Sequence, residues 1–477
     1  MILQYTPYIQ NVASCVSNNS RLVTSFAAGN LLLEAMTVYR TVRSGESFVK
    51  NRKKVVFLYP QKNDRKNLTH NYTKELNGGT LMTKTIDYRT KSIMNEVQNV
   101  SAEGYWPIAI DVGYSAVKCF SPNMICAFPS YAKNLGKNPT LYGDQDLHEI
   151  LYRDGETGEI WRVGRSAQLM VDDRDTSDSQ MELYSRERYF SPMFKVLIRT
   201  GLALSILNNP AGNYNGKPLM VQTGLPPAYL EDDKDYLIDA IAGHHKFAIK
   251  TGKQRSYINM ELDILRKNVD VMSQPEGTLM SIAMDDNAMT IPGAKKYFQS
   301  RIILCDVGHG TLDLFDIVNR TSHSKETFNE YGMREVLNLT SRKIKERTGV
   351  TIRSAAMQNA LETGTVTIKK RNGIKISSKT EPFDDLLEEA SIQICRDAVE
   401  KIMNMYSGLF QYDYLVLTGG TSAAWEPYIK DYFKDVEGLV VVMGNENCPD
   451  LDMIFCNVRG YYMYLINTLR RLEKKAR

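Results

Sequence analysis

The chain has 477 residues, 43% hydrophobic and 24% charged, the balance of a globular protein with room for two or three separately packed domains. A formal net charge of +4 on this length is too small to suggest a nucleic-acid binder, and seven cysteines without a CxxC pair argue against a zinc or disulfide framework and suit a reducing cytoplasm. No apolar run reaches the roughly 20 residues of a membrane span; Asn30 and Glu34 interrupt the nearest approach, residues 22–39, and only Arg21 stands before it, which is weak ground for a signal peptide.

Residues 1–104 form an N-terminal extension of different character. Up to residue 79 the basic residues outnumber Glu34, Glu46, Asp64 and Glu75, and residues 50–74 are rich in Lys, Arg and Asn, as weakly folded segments are. Residues 31–39 suit a short helix and 55–59 a short strand, without chemistry. Met82 and Met94 stand shortly before the next motif, so a start at either accounts for the segment as well as a genuine extension does.

From Trp106 the pattern is α/β. Residues 107–112 read as a buried strand, 116–120 as its hairpin partner, 194–207 as a helix, 219–224 as another buried strand, and 246–250 and 268–272 as strands beside a polar connection. The opening then repeats, with a strand at 301–306, a glycine turn and a return strand at 312–318. Helices are expected at 335–347 and 383–406, strands at 414–417 and 439–443, and a closing helix at 459–472 whose basic end complements its dipole. A strand, turn and strand used twice is an internal repeat. Domains are expected at 105–298 and 299–447.

The chemistry gathers at three turns. In the first, Gly113 and Ser115 turn backbone and hydroxyl donors toward phosphate, Lys118 on the returning strand adds a positive charge, and Asp111 is left for the shell of a magnesium ion, which keeps most of its waters. Taken alone, this is also how a plain surface hairpin reads. The second, DVGHGTLD, is more specific: Gly308 and Gly310 expose successive amides, Thr311 adds a hydroxyl, and Asp306 faces the same metal from the other domain. His309 is expected to point away from such a cradle, and Asp313 to order the hairpin. In the third, Gly419 and Gly420 stand between Thr418 and Thr421. Between the first two turns, Glu276 follows Pro275. It either initiates a helix or, inside a phosphate clamp, orients a water for in-line attack.

The order of a strand with DxGxxxxK, a Pro-Glu segment, a strand with DxGxGTxD and a strand with TGGT resembles the actin, sugar-kinase and heat-shock-chaperone ATPase superfamily, from about Tyr105 onward. Pro275–Glu276 is similar to the plasmid-segregation actins of the ParM type. The resemblance implies an α/β, two-domain actin-like fold, ribonuclease H-like and duplicated, with the nucleotide in the interdomain cleft and residues 448–477 returning to the first domain. It implies ATP, with GTP open as a substitute, and Mg2+ held through water by Asp111 and Asp306. It gives Glu276 a part in hydrolysis, puts Lys345 and Glu346 beside adenine and ribose, and passes Gly419 and Gly420 under the adenosine.

The function so implied is a cytoplasmic ATPase that polymerises with itself and segregates plasmid or other extrachromosomal DNA through an adaptor bound to centromere-like repeats. Direct DNA reading and a membrane are not expected. A small-molecule kinase, with Asp172, Asp173 or Asp175 as base, is the alternative on the same fold, and a membrane-linked division actin anchored by residues 461–477 is a third. The chain after Gly420 is too short for a chaperone's peptide-binding domain. The extension and the acidic, serine-rich residues 172–179 depart from the family pattern.

Overall fold

A computed structural model describes residues 84–142, 146–171, 185–372 and 374–476. The short helix and strand expected at 31–39 and 55–59, Asp172, Asp173 and Asp175 with their acidic stretch, and Cys15 lie outside the described residues.

The first half opens with β1 (Ile93–Glu96), β2 (Trp106–Val112), β3 (Ala116–Ser121) and β4 (Met124–Pro129). Strands β5 (Ala132–Asn134), β6 (Ile150–Asp154) and β7 (Ile160–Val163) follow, then the short α1 (Arg165–Gln168), α2 (Pro192–Ile206), β8 (Leu219–Leu225), α3 (Leu230–Ile241), β9 (Gly243–Thr251), β10 (Ile258–Ile264), β11 (Val269–Ser273) and α4 (Gln274–Ala283). The short α5 (Lys295–Gln299) leads into β12 (Arg301–Val307), β13 (Leu312–Val318), β14 (Thr321–Phe328), α6 (Met333–Thr348), α7 (Ser354–Thr363), β15 (Thr365–Asn372), β16 (Lys375–Pro382) and α8 (Asp384–Met405). Strand β17 (Tyr414–Thr418), α9 (Gly420–Phe433), β18 (Val440–Met443) and α10 (Cys456–Ala476) close the chain.

The repeat read from the turns extends to whole sheets. One sheet runs β1-β4-β3-β2-β8-β11 and the other β14-β13-β12-β17-β18. Leaving β1 aside, each is two antiparallel pairings followed by two parallel ones. A third, wholly antiparallel sheet, β10-β9-β6-β7-β5, is inserted into the first half, and β15 and β16 make a separate hairpin in the second. The sequence reading lacked β10, α7 and this hairpin, where no long apolar run stands out, and also β4, β6, β7, β14, α3 and α9.

The central strands are continuous apolar runs because both faces are covered. In β2, Ile108 and Ile110 pack with Phe194, Leu197 and Ile198 of α2, while Ala109 between them meets Tyr461, Tyr462 and Ile466 of α10. In β12, Ile303 and Cys305 face Val336, Leu337 and Ile394 of α6 and α8, while Ile302 and Leu304 face Leu279 and Ile282 of α4. Each large side chain buried this way contributes about 1.5–3 kcal/mol. Helices α4 and α10 therefore lie between the two sheets, and they cross where Gly277 meets Gly460: a Cβ on Gly460 would overlap the Gly277 carbonyl. The apolar face of α10 is thus part of the core, and no helix among the described residues is long and apolar enough to cross a membrane.

Residues 84–104, assigned by composition to the extension, are built into this body. Strand β1 pairs with β4 from Ile93↔Ala127 to Glu96↔Met124. Before it, the helical turn Thr85–Tyr88 and residues 89–91 form a strap on the second half. Thr85 Oγ1 donates to Leu361 O at 2.9 Å, the Thr90 amide to Gln358 Oε1 at 2.9 Å, and Arg89 Nη1 lies 3.0 Å from Glu362 Oε2. Lys91 is ion-paired with Asp452.

Candidate functional site

Asp111 ends β2, and the hairpin register sets Lys118 directly opposite it on β3. The ammonium donates to Asp111 Oδ2 at 2.9 Å, with both side chains mostly buried. The turn between them is tight: the Gly113 amide donates to Ala116 O at 3.1 Å, and Ser130 Oγ donates to Gly113 O at 2.7 Å. A Cβ on Gly113 would come within 2.7 Å of Lys118 Nζ, so only glycine leaves the lysine in place.

The second turn repeats this plan with one change. Asp306 ends β12 and Asp313 stands opposite it, at the register position Lys118 holds in the first hairpin. Asp313 accepts from Thr311 Oγ1 at 2.9 Å and Thr327 Oγ1 at 2.6 Å, bonds that tie the hairpin to β14. Burial, with the Asp306 charge nearby, pushes the Asp313 carboxyl up to about 7. Burial also pushes Asp306 up to about 6, with Asp111 adding to the rise and the Asn457 amide, which donates to Asp306 Oδ2 at 2.6 Å, opposing it. A buried carboxylate whose proton affinity is raised by burial and by a neighbouring carboxylate's charge fits a divalent cation, which removes the repulsion.

One cleft receives both turns. Its lining includes Asp111, Gly113, Ser115 and Lys118 from the first half, and Asp306, Gly308, Gly310, Thr311, Gly419 and Gly420 from the second. The third turn seals it from below: Gly419 sits at φ 88°, and a Cβ there would overlap Asp306 Oδ1 and the Val307 carbonyl. Thr421 Oγ1 donates to Gly308 O at 2.8 Å, tying the second and third turns together. Across the cleft, Tyr114 packs against Gly310 closely enough that a Cβ there would lie 2.6 Å from the ring. The Arg188 guanidinium lies 4.8 Å from the centre of that ring. His309, expected to point away, lines the cleft; burial pushes its imidazole down to about 4, with Arg334 and Lys118 adding to the fall. The described cysteines are free and all but Cys448 are buried.

Three residues expected at the site stand elsewhere. Glu276 is the third residue of α4, where its carboxylate accepts from the Ser273 amide at 3.3 Å, and it faces Lys325 at 3.9 Å in a different hollow from the one holding the aspartates. Helix initiation, the plainer reading of Pro-Glu, describes this placement. Lys345 and Glu346 are exposed on α6 and are not among the cleft residues; α6 contributes Met333, from its first turn, instead.

The residue that does reach the cleft from α4 is Gln274, whose Nε2 donates to Asp111 Oδ1 at 3.2 Å. Its position as the first helical residue after a buried parallel strand, pointing out of the strand's carboxyl end, was the usable signal; the neighbouring Pro-Glu drew the reading two residues too far. Asn457 was also missed, since an Asn opening an apolar helix carries no motif. It joins Asp306 to Thr278 Oγ1, which lies 2.6 Å from Asn457 Oδ1 and 2.8 Å from Thr418 Oγ1.

Comparison with known proteins bears on the fold. Residues 109–277 match the family described as "Actin like proteins N terminal domain". No curated protein matches the sequence. Among solved structures, a 15-stranded ParM filament from Clostridium botulinum is similar at 18% identity and TM-score 0.55, over 77% of this chain and 100% of that one. The actin-like protein Alp7A is similar at 13% identity and TM-score 0.56, over 78% and 100%. The archaeal actin homologue Ta0583, in complex with ADP, is similar at 14% identity and TM-score 0.52, over 77% and 99%. With two sheets of one topology meeting at a shared cleft, this chain has the α/β actin-like fold, and its residues 109–277 match the N-terminal domain of actin-like proteins.

Proposed function

We propose that the cleft binds a magnesium nucleoside triphosphate, ATP first, and hydrolyses it to time the assembly and disassembly of a polymer of this chain. The observation that carries this reading is the meeting of Asp111, Lys118 and Gln274 from one half with Asp306 from the other around a single cleft. The ADP bound by the archaeal homologue and the filament of the clostridial ParM support it by likeness of fold.

In this reading the amides of Gly113, Gly308 and Gly310 and the Lys118 ammonium hold the phosphates, and Asp111 and Asp306 hold waters of the metal. Mg2+, when bound, neutralises charge on the phosphate oxygens. Asp111 accepts from the Gln274 amide nitrogen, and that bond leaves the Gln274 carbonyl to accept from a water and aim it along the line of the bond to be broken. Gln274 therefore takes the role first given to Glu276. The proposed use of the polymer is segregation of plasmid or other extrachromosomal DNA through an adaptor.

Light scattering after addition of Mg-ATP tests the polymer: it should rise steeply above a critical protein concentration and decay as phosphate is released. Scattering that stays flat at every concentration while phosphate is released rejects polymerisation and keeps only the ATPase. Asp306→Ala should abolish the Mg2+-dependent part of nucleotide binding; unaltered binding would remove the aspartate pair from the site.

A further inference from the structure

The strap Thr85–Lys91 has no place in the reading above, yet Asp87, Tyr88, Arg89, Thr90 and Lys91 all line the same cleft as the phosphate turns. Its bonds run to α7 and to Asp452, beside Met453 and Ile454. Ile454 in turn stands 3.0 Å from where a Cβ of Gly420 would be, so the strap lies on the Gly419–Gly420 side of the cleft. The aspartates are engaged by other groups, Lys118, Gln274 and Asn457. A nucleotide with its phosphates at the aspartates and its α-phosphate over the glycine pair therefore has its nucleoside end at the strap.

Arg89 gives this wall its chemistry. It is 8% exposed, its Nη1 is held by Glu362, and its Nε and Nη2 are buried with no hydrogen-bond partner. Leaving two guanidinium nitrogens buried and unpaired is unfavourable, so an acceptor supplied from the cleft would relieve them. The guanidinium offers only donors, and its pairing with Glu362 fixes the plane in which they point. Glu362 itself is shared: Arg165 of α1, on the first half, reaches its other oxygen at 2.9 Å. The ion group Arg89–Glu362–Arg165 thus joins the strap, α7 and α1.

We propose that the strap is the nucleoside-side wall of the nucleotide cleft and that Arg89 is a specificity-determining residue, donating from Nε and Nη2 to acceptor atoms of the base or ribose. The proposal rests on the nucleotide-binding reading and adds to it the residue that separates a nucleoside triphosphate from bare triphosphate.

The test is calorimetric titration of the full chain, with Mg2+ present, by ATP, GTP and inorganic triphosphate, for the parent protein, Arg89→Lys and Arg89→Gln. Arg89→Lys keeps the charge facing Glu362 and gives up the two free donors, so it separates recognition from folding should Arg89→Gln unfold. Both variants should bind ATP or GTP roughly 10-fold or more weakly and inorganic triphosphate within about 2-fold of the parent, the scale of losing charge-assisted hydrogen bonds. The proposal is overturned if Arg89→Lys binds both nucleotides as tightly as the parent, or if it loses nucleotide and inorganic triphosphate equally. A parent protein that binds none of the three ligands rejects the underlying nucleotide reading instead.

Discussion

At the scale of single residues, Gln274 and Glu276 are two positions apart and line different hollows. Gln274→Ala removes the group hydrogen-bonded to Asp111 in the cleft, so phosphate release should slow about 10²-fold with nucleotide affinity nearly unchanged. Glu276→Ala removes a helix-cap acceptor and a partly exposed pairing with Lys325 and should lower stability by roughly 0.5–1 kcal/mol while leaving turnover intact. Paired single-turnover assays decide between them, and a slow Glu276 variant would return the role to that carboxylate. His309 supplies a pH prediction. Burial holds its folded pKa near 4, below the ordinary 6.5, so between these values the unfolded chain binds a proton that the folded one does not. This contribution to stability is full above pH 6.5 and is lost as pH falls toward 4. Melting curves of His309→Gln should fall less steeply over that window than those of the parent; parallel profiles would show that the imidazole is already protonated in the folded state.

At the scale of elements, α4 carries the site on one end and the joint between the sheets along its side. Its crossing with α10 admits no side chain at Gly277 or Gly460, so Gly460→Ala should destabilise by more than about 3 kcal/mol in denaturant titrations, and a neutral result would mean that the helices separate readily. Asn457→Ala leaves Asp306 and Thr278 without their shared partner and should weaken Mg2+-dependent binding along with a loss of about 1–3 kcal/mol in stability. The elements legible in the sequence were the apolar ones. Strands β2, β8, β12 and β17 and helices α2, α6 and α8 announce themselves through continuous or helically spaced apolar residues. Strand β10 was not legible because its burial alternates, one face being solvated, and β16 because nearly every residue on it is exposed. Of the site, the three glycine turns were readable because their backbone demands leave glycine at fixed offsets from the end of an apolar strand. Gln274, Asn457 and the strap were not, since their roles arise from segments far apart in the chain meeting in space.

At the scale of the whole molecule, the cleft draws on every layer: both sheets, the two helices between them, and a strap from the chain's described beginning. A ligand that grips both halves stabilises the closed arrangement, and at 100 times its dissociation constant contributes about 2.7 kcal/mol to folding. The ion group Arg89–Glu362–Arg165 joins the two halves away from the glycine turns. Glu362→Gln should therefore speed nucleotide release by about 3- to 10-fold in a chase with unlabelled ATP, and an unchanged off-rate would show that closure does not depend on that carboxylate. The joint and this fastening are different kinds of connection. Where α4 and α10 touch through bare glycine backbone, the surfaces are too close to slide, and the bonds from Thr278 to Asn457 and from Arg459 to Ser281 flank the contact. A small change of angle at that contact would be magnified at the far rim, where Glu362 meets Arg165. Strain applied to one protomer by its neighbours in a polymer would then be released first at that rim, letting the nucleoside end loosen while the triphosphate grip still holds.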